Sequence, residues 1–294
     1  MLGSWYYRDV CADDGPIAKI SVRQLDGIDP HQKWEAMAYL KKGLIQRGSN
    51  LQFKIYGLCD GGGTSASRAT ACHIAVSEAL ERWAWAASSR DPSLSSAAGL
   101  DLDPSTNGWA AYPGPFSNFA RQRAYLEAVE RWSLLAWWNG QIGHELLPNR
   151  DGAIRLLSPM SDAAVVILTK KIPHVGCAYG FAGGSDIAAA HRRASVELFR
   201  NIHVLSKWVE KNAIKDIAEF PTALHERRLL FFAGDEGHAL FVERLAQPRP
   251  TLQVVPEVLV DRRIYGSWDK YCRVWRVLFK SDFNHSTAMD QFLF

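Results

Sequence analysis

Two seven-residue stretches of this chain nearly repeat each other: Ser77-Glu-Ala-Leu-Glu-Arg-Trp83 and Leu126-Glu-Ala-Val-Glu-Arg-Trp132. On a helix, residues three apart share a face. Glu78 and Glu81 therefore form one pair of neighbouring carboxylates, Glu127 and Glu130 a second, and Arg82 and Arg131 follow them. Carboxylates gathered and buried cannot stay ionised without a counter-charge. A hard divalent cation held through oxygen, with phosphate as a further ligand, answers that need. One Glu-x-x-Glu-Arg is common on solvated helix faces, where it adds only small i,i+4 interactions. Two copies shift the balance towards a shared site. Both end in Trp, both follow glycine-containing segments (Asp60-Gly-Gly-Gly-Thr64 and Thr106-Asn-Gly-Trp-Ala110), and both keep small or aliphatic residues between the acids. Trp83 and Trp132 are expected off the acidic face and in the core.

The elements that must position these acids can be read from periodicity and turn residues. Trp34 to Leu44 is expected as a helix, Arg47-Gly-Ser-Asn50 as a turn and Leu51 to Cys59 as a strand. The triple glycine reads as a turn leading into a long helix from about Ser65 to Ser89, whose apolar positions recur at helical spacing. Arg90 to Pro104 reads as a loop. Pro113-Gly-Pro115 and Ser117 signal a second helix, stopped near Gly140. Ala163 to Thr169 and His174 to Phe181 read as strands, and a third long helix follows, capped by Ser185 or Asp186. Residues 220 to 247 are expected to be helical with a break at Gly234-Asp-Glu-Gly237; Thr251 to Val260 and Tyr271 to Phe279 are expected as strands. The pattern strand, glycine turn, helix, about three times over, predicts an α/β (α+β) layered fold with long helices and an internal pseudo-repeat. Residues 1–50 read as an accessory segment and residues 51–294 as the main domain.

Bulk properties narrow the function classes. A chain of 294 residues with 47% hydrophobic content can bury a large core. A net charge of +3 gives no electrostatic support for nucleic-acid binding. The five cysteines include no Cys-x-x-Cys clip, which favours a reducing compartment. No zinc-type His or Cys spacing is present, and His73 on the first acidic helix reads as a packing residue. The N-terminus lacks the features of a signal peptide and the longest apolar run is too short for a membrane span, so a cytoplasmic protein is expected. Gly61-Gly62-Gly63 could offer backbone N–H groups to an anion, but it is neither a Walker A loop nor a dinucleotide fingerprint.

The constellation resembles the YcaO family, ATP-dependent enzymes that activate backbone amides of ribosomally made peptides. The resemblance rests on three helical motifs, matched by Ser77-Glu-Ala-Leu-Glu-Arg82, Glu127-Ala-Val-Glu-Arg131 and Arg193-Ala-Ser-Val-Glu197. Asn107-Gly-Trp-Ala110 looks like the glycine turn before the second motif, and Trp275-Arg-Val277 like the family's late Arg-Val strand. What the resemblance implies is specific. Glu78, Glu81, Glu127, Glu130 and Glu197 would be magnesium ligands, direct or through water. Arg82, Arg131, Arg193, Arg276, Gly62, Gly63 and Asn107 would bind ATP. No catalytic residue is assigned. The amide oxygen would be phosphorylated and phosphate then lost, giving an azoline by cyclodehydration, or a thioamide or amidine with an external nucleophile. A peptide substrate, a separate peptide-clamping partner and room for a homodimer are implied, with no role for nucleic acid or membrane. Departures from the pattern are Ile74 where Ser is usual, Phe119 where a polar or acidic residue is frequent, glycine in place of a first-loop lysine, Trp132 where an acid is frequent, and the end Gln291-Phe-Leu-Phe294 without a proline-rich terminus. They keep open a catalytically inactive scaffold of a peptide-modifying complex.

Overall fold

The computed structural model describes residues 3–25, 33–45, 55, 57–148, 152–213, 221, 223–247, 254–281 and 289–292. In chain order the elements begin with α1 (Gly3–Val10), β1 (Ile17–Gln24), β2 (Trp34–Leu40), β3 (Gly61–Ser65), α2 (Arg68–Ser88) and α3 (Pro92–Ala97). Next come β4 (Trp109–Pro113), α4 (Ser117–Trp138), β5 (His144–Leu146), β6 (Ala153–Leu156), β7 (Ala164–Ile172) and β8 (Gly176–Gly184). The chain continues with α5 (Ile187–Ala213), α6 (Leu224–Ala233), α7 (Asp235–Ala246), β9 (Val258–Ile264) and β10 (Cys272–Phe279). All strand pairings are antiparallel. The fold is a mixture of long helices and antiparallel sheets, the layered α+β class expected.

The chain divides into two compact units, with the boundary falling inside α4 after Ala128. The first comprises residues 1–47, 58–128 and 257–280. It holds the sheets β1-β2-β3 and β4-β10-β9. The second comprises residues 48–57, 129–256 and 281–294, and holds the sheet β5-β6-β7-β8. The opening residues, expected as an accessory piece, supply β1 and β2 of the first unit's sheet.

In the first unit α2 lies very close to β3. Ser67 caps the helix by accepting from the Thr70 N–H. Ala71, Ala75 and Ala79 follow at helical spacing, all fully buried. They face Gly61 and Gly63: a methyl group on Gly61 would overlap the carbonyl oxygen of Ala75, and one on Gly63 that of Ala71. The second unit repeats the arrangement. Asp186 caps α5 by accepting from the Ala189 N–H at 2.7 Å. Ala190 and Ala194 are fully buried, and a methyl group on Gly180 would overlap the carbonyl oxygen of Ala194. One shift along the chain carries Gly61 onto Gly180, Ser67 onto Asp186, Ala71 onto Ala190, Ala75 onto Ala194 and Glu78 onto Glu197. The internal repeat is therefore an antiparallel meander followed by a helix. It pairs α2 with α5, whereas the matched heptapeptides in the sequence pair α2 with α4.

Three local expectations are corrected. Trp34 to Leu44 is not a helix; its first part is β2, paired on both sides with Ala36 and Ala38 fully buried. Pairing along both edges overrides the helix-favouring Glu, Ala and Met content. The triple glycine is a strand, not a turn, because only glycine lets it lie against the α2 backbone. The loop after α2 contains the short helix α3, with Pro92 at its first position and Asp91 as its cap. The expected turn at 47–50 and residues 51–54 and 56 of the expected strand lie outside the described residues, as do 251–253. Of the remainder of Thr251 to Val260, the strand begins only at Val258. Trp83 and Trp132 are 7% and 6% exposed, so the repeated tryptophans are core residues as expected. Among the described residues no helix is long and apolar enough to cross a membrane.

Gly63→Ala tests the close approach. It must push α2 and β3 apart, and overpacking of this kind costs about 1–3 kcal/mol. The urea midpoint should fall by that amount, while alanine at Gly140, where nothing crowds the added methyl, should cost only what its positive φ imposes.

Candidate functional site

β3 is an edge strand of its sheet, so some of its backbone N–H groups face away from β2. In the first unit, Glu78 on α2 takes one of them: the Gly62 N–H donates to its Oε2 at 2.8 Å. The other oxygen pairs with Arg82, one turn on, and Arg82 in turn donates to the Cys59 carbonyl at 3.1 Å. Glu81, a further half-buried residue, accepts no hydrogen bond among the described residues. Burial first, then the negative charges of Glu127 and Glu78, push its carboxyl well above the usual range, against the opposing pull of Arg123 and Arg82. The charges of Glu127 and Glu78 thus reach Glu81, a carboxyl that a nearby cation would return to its charged form.

Arg276, on β10, is the fixed positive charge of the same unit. It is fully buried. Its Nη1 donates to the Ser105 carbonyl at 3.0 Å, its Nη2 to the Asp103 carbonyl at 3.2 Å, and the guanidinium pairs with the Asp103 carboxylate at 3.2 Å. Burial lowers its pKa to about 10, and Asp103, Glu127 and Glu81 oppose that fall. Its guanidinium lies 5.5 Å from the Trp109 ring centre. Asn107 donates to Asp103 Oδ2 at 3.2 Å. The Arg276 Nε and the Asn107 Oδ1 are both buried without a hydrogen-bond partner. Leaving such an atom unsatisfied costs about 1–3 kcal/mol.

The second unit holds a parallel cluster. β8 is again an edge strand. The Gly183 N–H donates to Glu130 Oε2 at 2.7 Å, and the Gly183 carbonyl accepts from Arg193. Glu130 is 8% exposed. Burial raises its pKa, with Arg131, Arg193 and the Gly183 hydrogen bond pulling down and Glu197 pushing up. The Arg131 guanidinium lies 6.0 Å from the Phe181 ring centre. Glu197, on α5, accepts no hydrogen bond among the described residues.

The structure therefore brings Glu78, Glu81, Glu127, Arg82 and Arg276 together with Asn107 in one unit, and Glu130, Glu197, Arg131 and Arg193 in the other. Gly62 commits its N–H to Glu78, and Gly63 serves the helix contact. Sequence reasoning missed Asp103, Arg123 and Gly183. Asp103 lay inside a segment read as a connecting loop, although Asp103-Pro-Ser105 is a turn-forming sequence whose Oδ1 accepts from the Ser105 N–H at 2.9 Å. His73 is a packing residue: it meets Tyr7 through its Nδ1 and Tyr112 ring to ring at 4.8 Å, and burial, reinforced by Arg123, lowers its pKa to about 4. Among the described residues no three His, Cys, Asp or Glu side chains are grouped closely enough to wrap a metal ion unaided. Two carboxylates that need further ligands from water or phosphate match the habit of Mg²⁺.

No protein-family model and no curated protein matches the chain. Solved structures do. The chain is similar to YcaO from Methanopyrus kandleri, solved bound with AMPPCP and Mg²⁺, at 15% identity with a TM-score of 0.54, covering 95% of this chain and 89% of that one. It is also similar to a chain of the E. coli microcin synthetase McbBCD complex with pro-MccB17 bound, at 12% identity with a TM-score of 0.54, covering 91% and 88%. At these identities the likeness establishes a YcaO-like fold.

Two substitutions separate the acids by role. Glu81 has a raised pKa in the folded state, so its destabilising effect is absent below the unfolded value of about 4.3 and complete above the folded value. Glu81→Gln should therefore raise the melting temperature at about pH 8, with the gain vanishing near pH 4. Glu78→Ala should instead lower stability by about 1 kcal/mol, since it leaves the Gly62 N–H and Arg82 without their acceptor and the pair is partly solvated.

Proposed function

We propose that the chain is a YcaO-type protein that binds ATP with Mg²⁺ and activates a peptide backbone amide by phosphorylating its oxygen. The observation that carries this reading is the mutual repulsion of Glu81 and Glu127 beside the buried Arg276. Neighbouring half-buried carboxylates, of which Glu81 is pushed towards protonation by burial and by the charges around it, are a donor set that Mg²⁺ takes up, one or two carboxylates at a time. The buried Arg276 Nε, with no acceptor, fits an anionic ligand. The similarity to a YcaO bound with AMPPCP and Mg²⁺ supports the same ligands, and the similarity to a microcin synthetase chain with pro-MccB17 supports a peptide substrate and partner proteins.

In this reading each group has a defined task. Glu81 and Glu127 hold the cation through oxygen. Glu78 keeps Arg82 in place, and Arg82 faces anionic oxygens from that anchored position. Arg276, always positive at neutral pH and fixed at three points, neutralises negative charge. In the second unit Glu130 and Glu197 offer carboxylate oxygens, while Arg131 and Arg193 offer guanidinium groups. Mg²⁺ with a triphosphate supplies the charge neutralisation that phosphoryl transfer needs, so the protein's work is positioning. Whether an azoline, thioamide or amidine results depends on the nucleophile that the substrate or a partner brings. A peptide-clamping partner and a cytoplasmic setting belong to the same proposal.

A second reading, a scaffold that binds nucleotide without turning it over, is favoured by Ile74, Phe119 and Trp132. All three are apolar where the resemblance leads one to expect polar side chains, and Trp132 is buried in the core. One experiment separates the readings. The melting temperature should rise with Mg·ATP and not with ATP plus chelator, by mass action. Peptide-dependent phosphate release should accompany it, and Glu81→Gln should reduce that release at least ~100-fold, because the metal holds the developing charge. A melting curve indifferent to Mg·ATP rules out nucleotide binding and leaves an empty scaffold. A shift in melting without phosphate release favours the scaffold.

A further inference from the structure

Apart from the acidic clusters, the second unit carries a pocket of about 500 Å³ at the outer end of β7, open to solvent on one side. Ligand pockets commonly measure about 300–1,000 Å³. Leu168 and Leu198 give it an apolar wall, and Leu168 packs with Ala190, Ala194 and Leu198 where α5 crosses the sheet. His191 lies two turns before Leu198 on the same face of α5 and also lines the pocket. Gly152 closes another side. Its carbonyl accepts from the Thr169 N–H at 2.8 Å and from the Thr169 hydroxyl at 3.3 Å. A methyl group on Gly152 would overlap the Thr169 carbonyl oxygen, so only glycine lets the chain approach β7 this closely. Lys170 and Lys171 complete the lining. Both are exposed, and among the described residues neither side chain has an ion pair or a hydrogen bond. Among the described residues no carboxylate lines the pocket.

We propose that this pocket docks an acidic, aliphatic segment of a peptide, with carboxylates at Lys170 and Lys171 and an aliphatic side chain against Leu168 and Leu198. Adjacent lysines without counter-charges repel each other, and an anion relieves that repulsion. Phosphate alone would leave the leucine wall in water. The usual grips on phosphate, a guanidinium fork or a row of converging backbone N–H groups, are not part of this lining. A peptide segment carrying both acidic and aliphatic side chains answers the charge and the apolar wall together. The inference rests on the peptide-substrate part of the reading above, and it adds a place where the peptide is held by residues that take no part in the acidic clusters. Holding one segment of a peptide raises the effective concentration of the rest of it.

The probe is a short fluorescein-labelled peptide of alternating glutamate and leucine, read by fluorescence anisotropy with the full-length chain, without nucleotide and at low ionic strength, where exposed charges are least screened. The wild-type chain should bind it. Lys170→Glu combined with Lys171→Glu should weaken binding at least about tenfold, because two attractions become repulsions. Both side chains are exposed, so thermal unfolding of this variant should stay cooperative. Lys207→Glu, an exposed lysine of α5 outside the pocket, should change binding by no more than about twofold. A glutamate–serine peptide of equal charge should bind more weakly than the glutamate–leucine one, since it has nothing to lay on the leucine wall. If the wild-type chain does not bind the peptide, or if Lys207→Glu weakens binding as much as the double variant, the proposal is overturned. It is also overturned if the glutamate–serine peptide binds equally well, or if inorganic phosphate displaces the peptide far better than chloride at matched ionic strength, because the pocket is then a bare anion site. None of these results bears on the melting shift with Mg·ATP. A chain that binds the peptide but is indifferent to Mg·ATP overturns the nucleotide reading and not the pocket.

Discussion

The closeness of a glycine strand to an alanine helix is the constraint on which the rest depends, and it occurs once in each unit. Gly61 and Gly63 let β3 lie against the α2 backbone at Ala71 and Ala75, and Gly180 lets β8 lie against α5 at Ala194. At such separations no side chain fits between the two backbones. The longer polar side chains must therefore leave from the flank of the contact, and there they meet the free edge of the strand. Glu78 does so at Gly62, whereas at Gly183 the acceptor is Glu130, which comes from α4 and not from the contacting helix α5. Edge N–H groups need acceptors, so these two glutamates have a structural reason to exist before any ligand is considered.

That structural reason sorts the acidic motif into two kinds. Glu78 and Glu130 close strand edges and each has an arginine beside it. Glu81 and Glu197 have no hydrogen-bond partner among the described residues, and Glu81 is pushed towards protonation by its neighbours. A surface array would show the reverse, with every carboxylate paired or solvated and none raised. The buried ion pair of Arg276 and Asp103 fits the same division, since it places a permanent charge near Glu81. Such a pair adds little net stability, because desolvation offsets its attraction. Its value here is orientation, as three contacts fix the guanidinium and the same carboxylate fixes Asn107.

The long helices were legible because alanine and leucine recur on one face over five or more turns, and Ser67, Asp186 and Gly140 mark their ends in the chain. The strands β7 and β8 were legible as apolar runs. What misled were segments whose local preference differs from their final state. Trp34 to Leu40 has helix-forming residues but is held between two strands. Gly61-Gly62-Gly63 has turn residues but is a strand, for a reason that lies in a helix several residues away. The acidic residues were legible through their matched heptapeptides, and the internal repeat through the recurrence of strand, glycines and helix. The heptapeptides match because both α2 and α4 bury a tryptophan behind an acidic face, whereas the folded repeat joins α2 to α5, whose shared features are single residues: a capping oxygen, two alanines and one glutamate. Asp103 could not be found from the sequence, because its importance comes from bonding Arg276, which lies far along the chain on β10.

The same sparseness explains how a YcaO-like fold persists at 15% identity over nearly the whole chain. The glycine–alanine contact asks for small residues at a handful of positions and leaves the outer helix faces unconstrained. Strand edges ask for one acceptor each. Neither requirement produces a contiguous motif, and volume-conserving changes in the surrounding core are tolerated. Sequence can therefore drift until no family model matches, while the backbone separation that sets the glutamates against the strand edges is retained. In such a fold Glu78 and Glu130, tied to backbone N–H groups, contribute to stability whatever the site binds. Glu81 and Glu197 accept no such bond among the described residues, and the packing of the fold gives them no task of that kind.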